Sequence, residues 1–424
     1  MNVTAFEGPA GCGKTFTLIQ RLEQKIEQVP MSPNQKILAL TYMHGSRKRL
    51  STKLSGINSL RGRFDCLTVD SLAAFICRRW GTLQRNLNLG VATDDDYDGQ
   101  CSNASELLAR PDVQAWFRMS YPFVVIDEAQ DLCAIRTLLI SSIAQSTNIF
   151  VALDEFQCLD SKLRPNPAFE WLHTQCTPTS LTIVHRTNDV DLLNAALAIR
   201  EGRAPISRRN FQFSATQGLY VAAAAVAYAI AFGKTADVAI IIPSLSGGFA
   251  VQVINRVKSH ASGARKLGPY NISLEQSDLA MVDSLIENLP HQEIFSYHEA
   301  VAFWQNHPKG NAICRSVGSW LLKQKRVKGT HEFLREEIVK QVNLIVTRHR
   351  NFASHDRTGF KAMTVHQAKN REFDGVIVLW PYTVAGNSEA KRRLLYNAVT
   401  RAKHWCKVFV QHPSILSSSP FAVN

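Results

Sequence analysis

Gly8-Pro9-Ala10-Gly11-Cys12-Gly13-Lys14-Thr15 has the spacing G-x-x-x-x-G-K-[ST], after a short apolar run (Val3, Ala5, Phe6) and before a helix opening at Phe16. The chemistry that needs this pattern is phosphate binding. Glycines let backbone N–H groups approach phosphate oxygens, Lys14 brings a point charge to the β- and γ-phosphates, and the Thr15 hydroxyl can ligate Mg2+. A second set of groups follows Phe123-Val124-Val125-Ile126, an apolar run of the kind that forms a fully buried parallel strand. It ends in Asp127 and Glu128. Asp127 can hold Mg2+ through water, and Glu128 can polarise the water that attacks a γ-phosphate. Alone, two acids after a strand read equally well as a solvated turn; beside a P-loop they read as the other half of an ATP-hydrolysing site.

These groups need strands to carry them. Apolar runs ending in polar or small residues recur at Ile37–Leu40, Cys66–Val69, Phe123–Ile126, Ile149–Leu153 and Leu181–Val184, with amphipathic helical stretches between most of them. The alternation predicts an α/β fold with a parallel sheet and ligands at the carboxyl ends of its strands. A second such region begins at Val238–Ile242 and resumes at Val376–Leu379 and Val408–Val410. The expected domains are 1–190, with a small insertion at about 83–120, and 191–424, with a mainly helical insertion at about 259–360. The first insertion carries the acidic run Asp94-Asp95-Asp96-Tyr97-Asp98 and reads as a loop followed by short helices.

The chain has 424 residues, 45% of them hydrophobic, which suits ordinary globular cores. Nothing near the N-terminus resembles a signal peptide. The longest apolar span, Gly218 to Phe232, is too short to cross a bilayer, so no membrane partner and a cytoplasmic location are expected. Nine cysteines without a Cys-x-x-Cys pair argue against a disulfide framework and a structural zinc. A net charge of +13 suits a polyanionic partner, nucleic acid first. Basic clusters recur at Arg47-Lys48-Arg49, Arg61 with Arg63, Arg78-Arg79, Lys323 to Lys328, Arg348 to Arg350 and Lys391-Arg392-Arg393.

Read in order, the motifs resemble those of UvrD/Rep-type superfamily 1 DNA helicases. The stretch around Thr41-Tyr42-Met43-His44 and that around Thr68-Val69-Asp70 are similar to the family's two DNA-gripping motifs, although Asp70 stands where a histidine is common. Leu153-Asp154-Glu155-Phe156-Gln157 is similar to G-D-x-x-Q, and Val184-His185-Arg186-Thr187 resembles the arginine motif that closes the first domain. Thr364-Val365-His366-Gln367-Ala368-Lys369-Asn370-Arg371-Glu372-Phe373 resembles T-x-H-x-A-K-G-x-E-F, with Asn370 in place of a glycine, an exchange that left-handed backbone tolerates. Tyr396-Asn397-Ala398-Val399-Thr400-Arg401-Ala402 resembles Y-V-A-x-T-R-A.

The resemblance implies two RecA-like P-loop domains with parallel sheets and reduced, mainly helical insertions. It implies ATP and Mg2+ as cofactors, single-stranded or junction DNA as partner, and movement 3′ to 5′. Gln157 would sense the γ-phosphate, Glu372 would contact the ribose, and Thr41, Tyr42, His44, Thr68 and His366 would contact DNA. Arg186 and Arg401 would be arginine fingers within one chain, each class of finger being worth about 10³ to 10⁵ in rate.

The chain also departs from the family. No adenine-reading glutamine segment precedes the P-loop, and Phe16 and His185 occupy the places of the usual stacking residues, so an adenine held between these two is expected. Phe16 packing in the core of the first helix is the competing reading. The tyrosine that usually follows the glutamine is absent; Phe169 or Trp171 could replace it as a base-stacking residue or could be core. The reduced insertions predict single-strand-stimulated ATP hydrolysis and translocation with weak unwinding. A second reading is a DNA- or nucleotide-sensing ATPase that gates a partner nuclease, as compact UvrD-like subunits of antiphage defence systems do.

Overall fold

The computed structural model describes residues 3–41, 44–93, 96–233, 235, 237–245, 248–275, 278–307, 312–352 and 360–422. Its strands are β1 (Val3–Glu7), β2 (Ile37–Thr41), β3 (Phe64–Thr68), β4 (Phe123–Ile126), β5 (Asn148–Leu153), β6 (Thr179–Ser180), β7 (Phe211–Ala215), β8 (Val238–Ile242), β9 (Ile272–Leu274), β10 (Ile294–Ser296), β11 (Glu332–Leu334), β12 (Phe360–Thr364), β13 (Phe373–Trp380) and β14 (Ala402–Val410). Two six-stranded sheets result, ordered β3-β2-β4-β5-β1-β6 and β7-β14-β13-β8-β12-β9. Every neighbour pair in the first is parallel, as are β7 with β14, β14 with β13, and β13 with β8 in the second. The fold is α/β with two parallel-strand sheets, consistent with two RecA-like domains.

The sequence pattern explains the strands. β2, β4 and β8 are buried at every position, as β-strands covered on both faces must be. Each fully buried Val, Leu or Ile contributes roughly 1.5 to 3 kcal/mol of transfer free energy. Helix Lys14–Gln28 buries Leu18 and Leu22, one turn apart, against this sheet. Phe16 precedes Leu18 by two residues, about 200° around a helix of 3.6 residues per turn, and so faces the other way.

The expected strand at Leu181–Val184 does not form. After the two-residue β6, Leu181 N–H donates to Glu7 O (2.7 Å) and the chain then leaves the sheet to follow the P-loop, where His185 N–H donates to Gly11 O (2.8 Å). The segment expected as a small insertion holds helices Gly81–Asn86, Tyr97–Leu108 and Pro111–Ser120. Its Cys101, Ala104, Leu107 and Phe117 share one core with Leu72 and Ile76 of helix Val69–Arg79 and Ile140 of helix Ala134–Ala144. Those helices are therefore part of the module's core and not an appendage. Asp94 and Asp95 lie outside the described residues; Asp96 Oδ1 accepts from Gly99 N–H (2.9 Å) and caps the second helix.

The chain divides into two compact units, one of residues 1–272 with 364–424 and the other Ser273–Met363. The second has its own core, with Trp304, Phe295, Phe333, Leu321, Ile338 and Val342 buried between helices Tyr297–Gln305, Ala312–Lys328 and Arg335–Phe352. An antiparallel hairpin of β10 with β11, which sequence reading passed over, braces it. Ser296 and Glu299 form a reciprocal capping box at the start of helix Tyr297–Gln305.

Candidate nucleotide site

The P-loop runs from the end of β1 into helix Lys14–Gln28. Gly11 and Gly13 both have φ +79°, and a Cβ on Gly11 would lie 2.6 Å from the Arg186 Cβ, so only glycine lets the arginine segment pack on the loop. Lys14 Nζ donates to the carbonyls of Gly8 and Pro9, each at 2.9 Å, and lies 4.0 Å from Asp154 Oδ2. Ala10 and Cys12 are buried, and burial raises the Cys12 thiol against the opposing pull of Lys14.

Thr15 Oγ1 donates to Asp127 Oδ2 at 2.9 Å. A hydroxyl and a carboxylate oxygen thus meet beside the loop, a hard oxygen donor set of the kind Mg2+ takes. Burial, then Glu128, pushes the Asp127 carboxyl up to about 6, opposed by the Thr15 bond and by Lys53 and Lys14. Glu128 sits at φ +60° on a left-handed residue. Burial pushes it up, but Lys369, Lys14, the Gln130 hydrogen bond and Arg401 together bring it below the ordinary carboxylate range. The two environments separate the neighbouring acids, leaving Glu128 the more readily ionised.

Fully buried Gln130 joins this pair to the next strand. Its Nε2 donates to Glu128 Oε2 (2.5 Å) and its Oε1 accepts from Asp154 N–H (3.0 Å). Asp154, 1% exposed, accepts from Arg200 Nη1 at 2.7 Å. Gln157 is buried on the short 3-10 turn that follows.

Groups from the segments of the second sheet, Tyr396, Glu372, Lys369 and Arg401, meet this cluster together with Arg186, Arg49 and Lys53 from the first. The Tyr396 hydroxyl accepts from the P-loop Ala10 N–H (2.8 Å) and from Arg200 Nη1 (3.2 Å), while its ring meets Phe156 edge-on at 5.1 Å. Arg186 donates from Nη1 to Thr400 O (2.8 Å), and its Nε lies 3.1 Å from Glu372 Oε1, which also takes Arg49 Nη2 at 3.1 Å. Arg401, 2% exposed, donates to Asn397 O at 3.0 Å. Burial and then Arg186 weaken its hold on its proton; Glu128 and Glu372 oppose them. Lys369 Nζ lies 2.6 Å from both oxygens of Asp131. Lys53 is shifted down by burial and Arg49, with Asp127 and Glu372 opposing.

The His185 ring lies over Gly13, where a Cβ would come within 3.3 Å of its Cδ2. Phe16 is 68% exposed, which removes the core-packing reading. Asn370 has φ +64°, the backbone its glycine-replacing position requires.

The residues read as DNA contacts do not gather into one described surface. Thr41 is fully buried, and Thr68 is buried with its Oγ1 accepting from Ser71 N–H (3.1 Å) as the N-cap of helix Val69–Arg79. Tyr42 lies outside the described residues, as does the side chain of His44. His366 is exposed on the short helix Val365–Ala368. Phe169 and Trp171 pack partly buried against the first module's core, and the Phe169 ring meets His173 at a tilt, centroids 4.1 Å apart. Asp70 is held by Arg136 at 2.8 Å.

The sequence alone gives no role to Tyr396, Arg200 or Gln130, and it offers Arg49 only as part of a basic cluster for nucleic acid, whereas Arg49 Nη2 pairs with Glu372. Tyr396 stands inside a quoted motif and could have been marked there; Arg200 belongs to no motif, and only its place one side of helix Val190–Glu201 brings it to Asp154.

Residues 359–409 match the family model described as UvrD-like helicase C-terminal domain. A comparison with curated proteins finds no match.

Proposed function

We propose that this chain, which its C-terminal match and motif order assign to the UvrD/Rep-type superfamily 1 helicases, is a nucleic-acid-stimulated ATPase that moves along single-stranded DNA, 3′ to 5′. The observation that carries the reading is the meeting of groups from both sheets at one P-loop: Thr15 with Asp127, Tyr396 on Ala10, and Arg186 and Arg401 beside Glu128 and Glu372. Thr15 and Asp127 would hold Mg2+, which neutralises phosphate charge when bound. Lys14 and the backbone N–H groups of Gly11 to Thr15 bind the phosphates, and Glu128 takes the proton of the attacking water.

In this reading Arg186 and Arg401 stabilise charge on the transferred phosphoryl group; the burial of Arg401, at 2% exposure, supports it, since a charge kept from water acts at low local dielectric. Phe16 and His185 flank the base and Glu372 the ribose. Gln157, reached through Asp154 and Gln130, reports phosphate loss to the neighbouring strand ends.

Steady-state ATP hydrolysis with and without single-stranded DNA, alongside Lys14→Ala, tests this. Stimulation that vanishes in the variant is expected. Hydrolysis indifferent to DNA would overturn the motor and favour the nuclease-gating switch.

A further inference from the structure

Helix Leu219–Phe232 has no charged residue in its length. A surface helix ordinarily sets an apolar stripe against a charged opposite face, and one apolar all round is normally covered on all sides. Here only one side is covered. Ala222, Ala223, Val226, Ala227 and Ile230 are buried, whereas Tyr220 is 70%, Val221 54%, Tyr228 48% and Phe232 43% exposed. Tyr220, Tyr228 and Phe232 are separated by multiples of four residues and therefore form a row along the helix.

Each ring of the row carries a cation. Arg256 lies 4.6 Å from the Tyr220 centroid, Lys407 5.8 Å from Tyr228 and Arg265 5.3 Å from Phe232. None of the three pairs with a carboxylate among the described residues. From residue 216 to 271 the chain has Lys234, Arg256, Lys258, Arg265 and Lys266 against the single acid Asp237. The row also faces away from the nucleotide site. The β7-to-β8 and β13-to-β14 crossovers run across the sheet in opposite senses, so right-handed connection puts this helix and Ser388–Val399, which carries Tyr396, on opposite faces.

We infer that this face docks a different protein, through an amphipathic segment whose apolar ridge is bordered by carboxylates. Contiguous exposed apolar surface marks interaction sites, and aromatic rings with arginine dominate the centres of protein interfaces. The cations are already held over the rings, so little side-chain freedom is lost when they meet carboxylates. A second copy of this chain is disfavoured, because an isologous contact would set Arg256, Arg265 and Lys407 against their equivalents on a chain of charge +13. Nucleic acid would satisfy the cations but not the exposed Val221, and the Tyr228 and Phe232 rings lean on each other at 4.4 Å with their planes tilted by 37°, which leaves no flat parallel platform for bases.

The test uses the full chain, two helical peptides with the same leucine ridge, one bordered by glutamate and one by lysine, and the charge-reversal variant Arg256→Glu with Lys407→Glu. Fluorescence anisotropy should show the glutamate peptide binding at least about tenfold tighter to the wild type, a difference near 1.4 kcal/mol, and the preference inverting in the variant. Inversion cannot come from misfolding, and DNA-independent ATP hydrolysis should be unchanged. Binding of neither peptide, or of both equally, overturns the inference. So does a self-association, or an affinity for single-stranded oligonucleotide or phosphatidylserine vesicles, that the charge reversal abolishes while peptide binding stays as it was.

Discussion

Two side chains test the site most directly at the scale of single residues. Phe16 buries little, so Phe16→Ala should change unfolding free energy by less than about 0.5 kcal/mol, the usual range for surface positions. If its ring holds adenine, the same change should weaken binding of a fluorescent ATP analogue severalfold and leave the affinity for inorganic triphosphate alone. Equal loss for both ligands would remove the stacking role. Arg200 is the opposite case. Its removal leaves buried Asp154 with only Lys14, 4.0 Å away, as a cation, so Arg200→Met should destabilise by roughly 3 kcal/mol in urea unfolding, and adding Asp154→Asn should restore part of it. A loss under about 1 kcal/mol would mean that Asp154 finds another partner. Tyr396, which shares that cluster, shows why such residues escape sequence reading: its aromatic identity was visible, but its contact with Ala10 depends on where two distant segments end up.

At the scale of elements, caps and strand ends decide what a polar residue is for. Thr68 resembles a DNA contact by position, yet it is buried and its hydroxyl is engaged with Ser71 at both N and Oγ. Thr68→Ala should cost about 1 kcal/mol by thermal or urea unfolding, the worth of an N-cap. Affinity for a single-stranded oligonucleotide, measured well below the melting temperature, should be unchanged if capping is its task; a tenfold drop would restore the contact role. The same scale shows what was legible. Strands β2, β4, β5 and β8 were readable because continuous apolar runs have few alternatives inside a parallel sheet. Leu181–Val184 carries the same signal and is not a strand, because the P-loop carbonyl of Gly11 captures the backbone that the sheet would have used. The three helices between 81 and 120 looked like an addition because their sequence carries an acidic run, and only their shared core with Leu72 and Ile140 shows them to be integral.

At the scale of the whole molecule, the positive charge is partly spent inside. Arg393 reaches Glu155 at 2.7 Å, Arg392 donates to the carbonyls of Ile199 and Arg200, and Arg63 donates to the carbonyls of Met31 and Ser32. Basic clusters in sequence therefore overstate the charge left for a polyanion, since a run of arginines does not reveal which of them face acids or carbonyls. Glu372 lies between Arg186 and Arg49 and gives the assembly a pH signature. Burial raises its carboxyl, but Arg186, Arg49 and Arg401 outweigh this and hold it below 4.5. A folded value below the unfolded one means that the ionised form stabilises the fold above the ordinary carboxylate range and that this is lost as pH falls through the depressed value. Glu372→Gln should therefore be less stable than wild type at pH 7, by about 1 kcal/mol given its partial exposure, and the gap should close below pH 4.5. A gap that persists at pH 3 in urea unfolding would show that packing, not charge, holds Glu372.

The hydrogen bond from Ala10 to Tyr396 spans 386 residues of chain. A ribosome adding roughly 5 to 20 residues per second takes about 20 to 80 seconds to pass from the P-loop to this tyrosine, and Thr400 and Arg401 follow it. The first sheet can close once β5 and β6 have emerged, but helix Ser388–Val399, which carries Tyr396, reaches the P-loop only after β7, β8 and β13 have followed. Under the proposed function, a chain interrupted between the first sheet and Tyr396 keeps the P-loop and Asp127 but lacks Tyr396 and Arg401, and is expected to bind phosphate without turning it over.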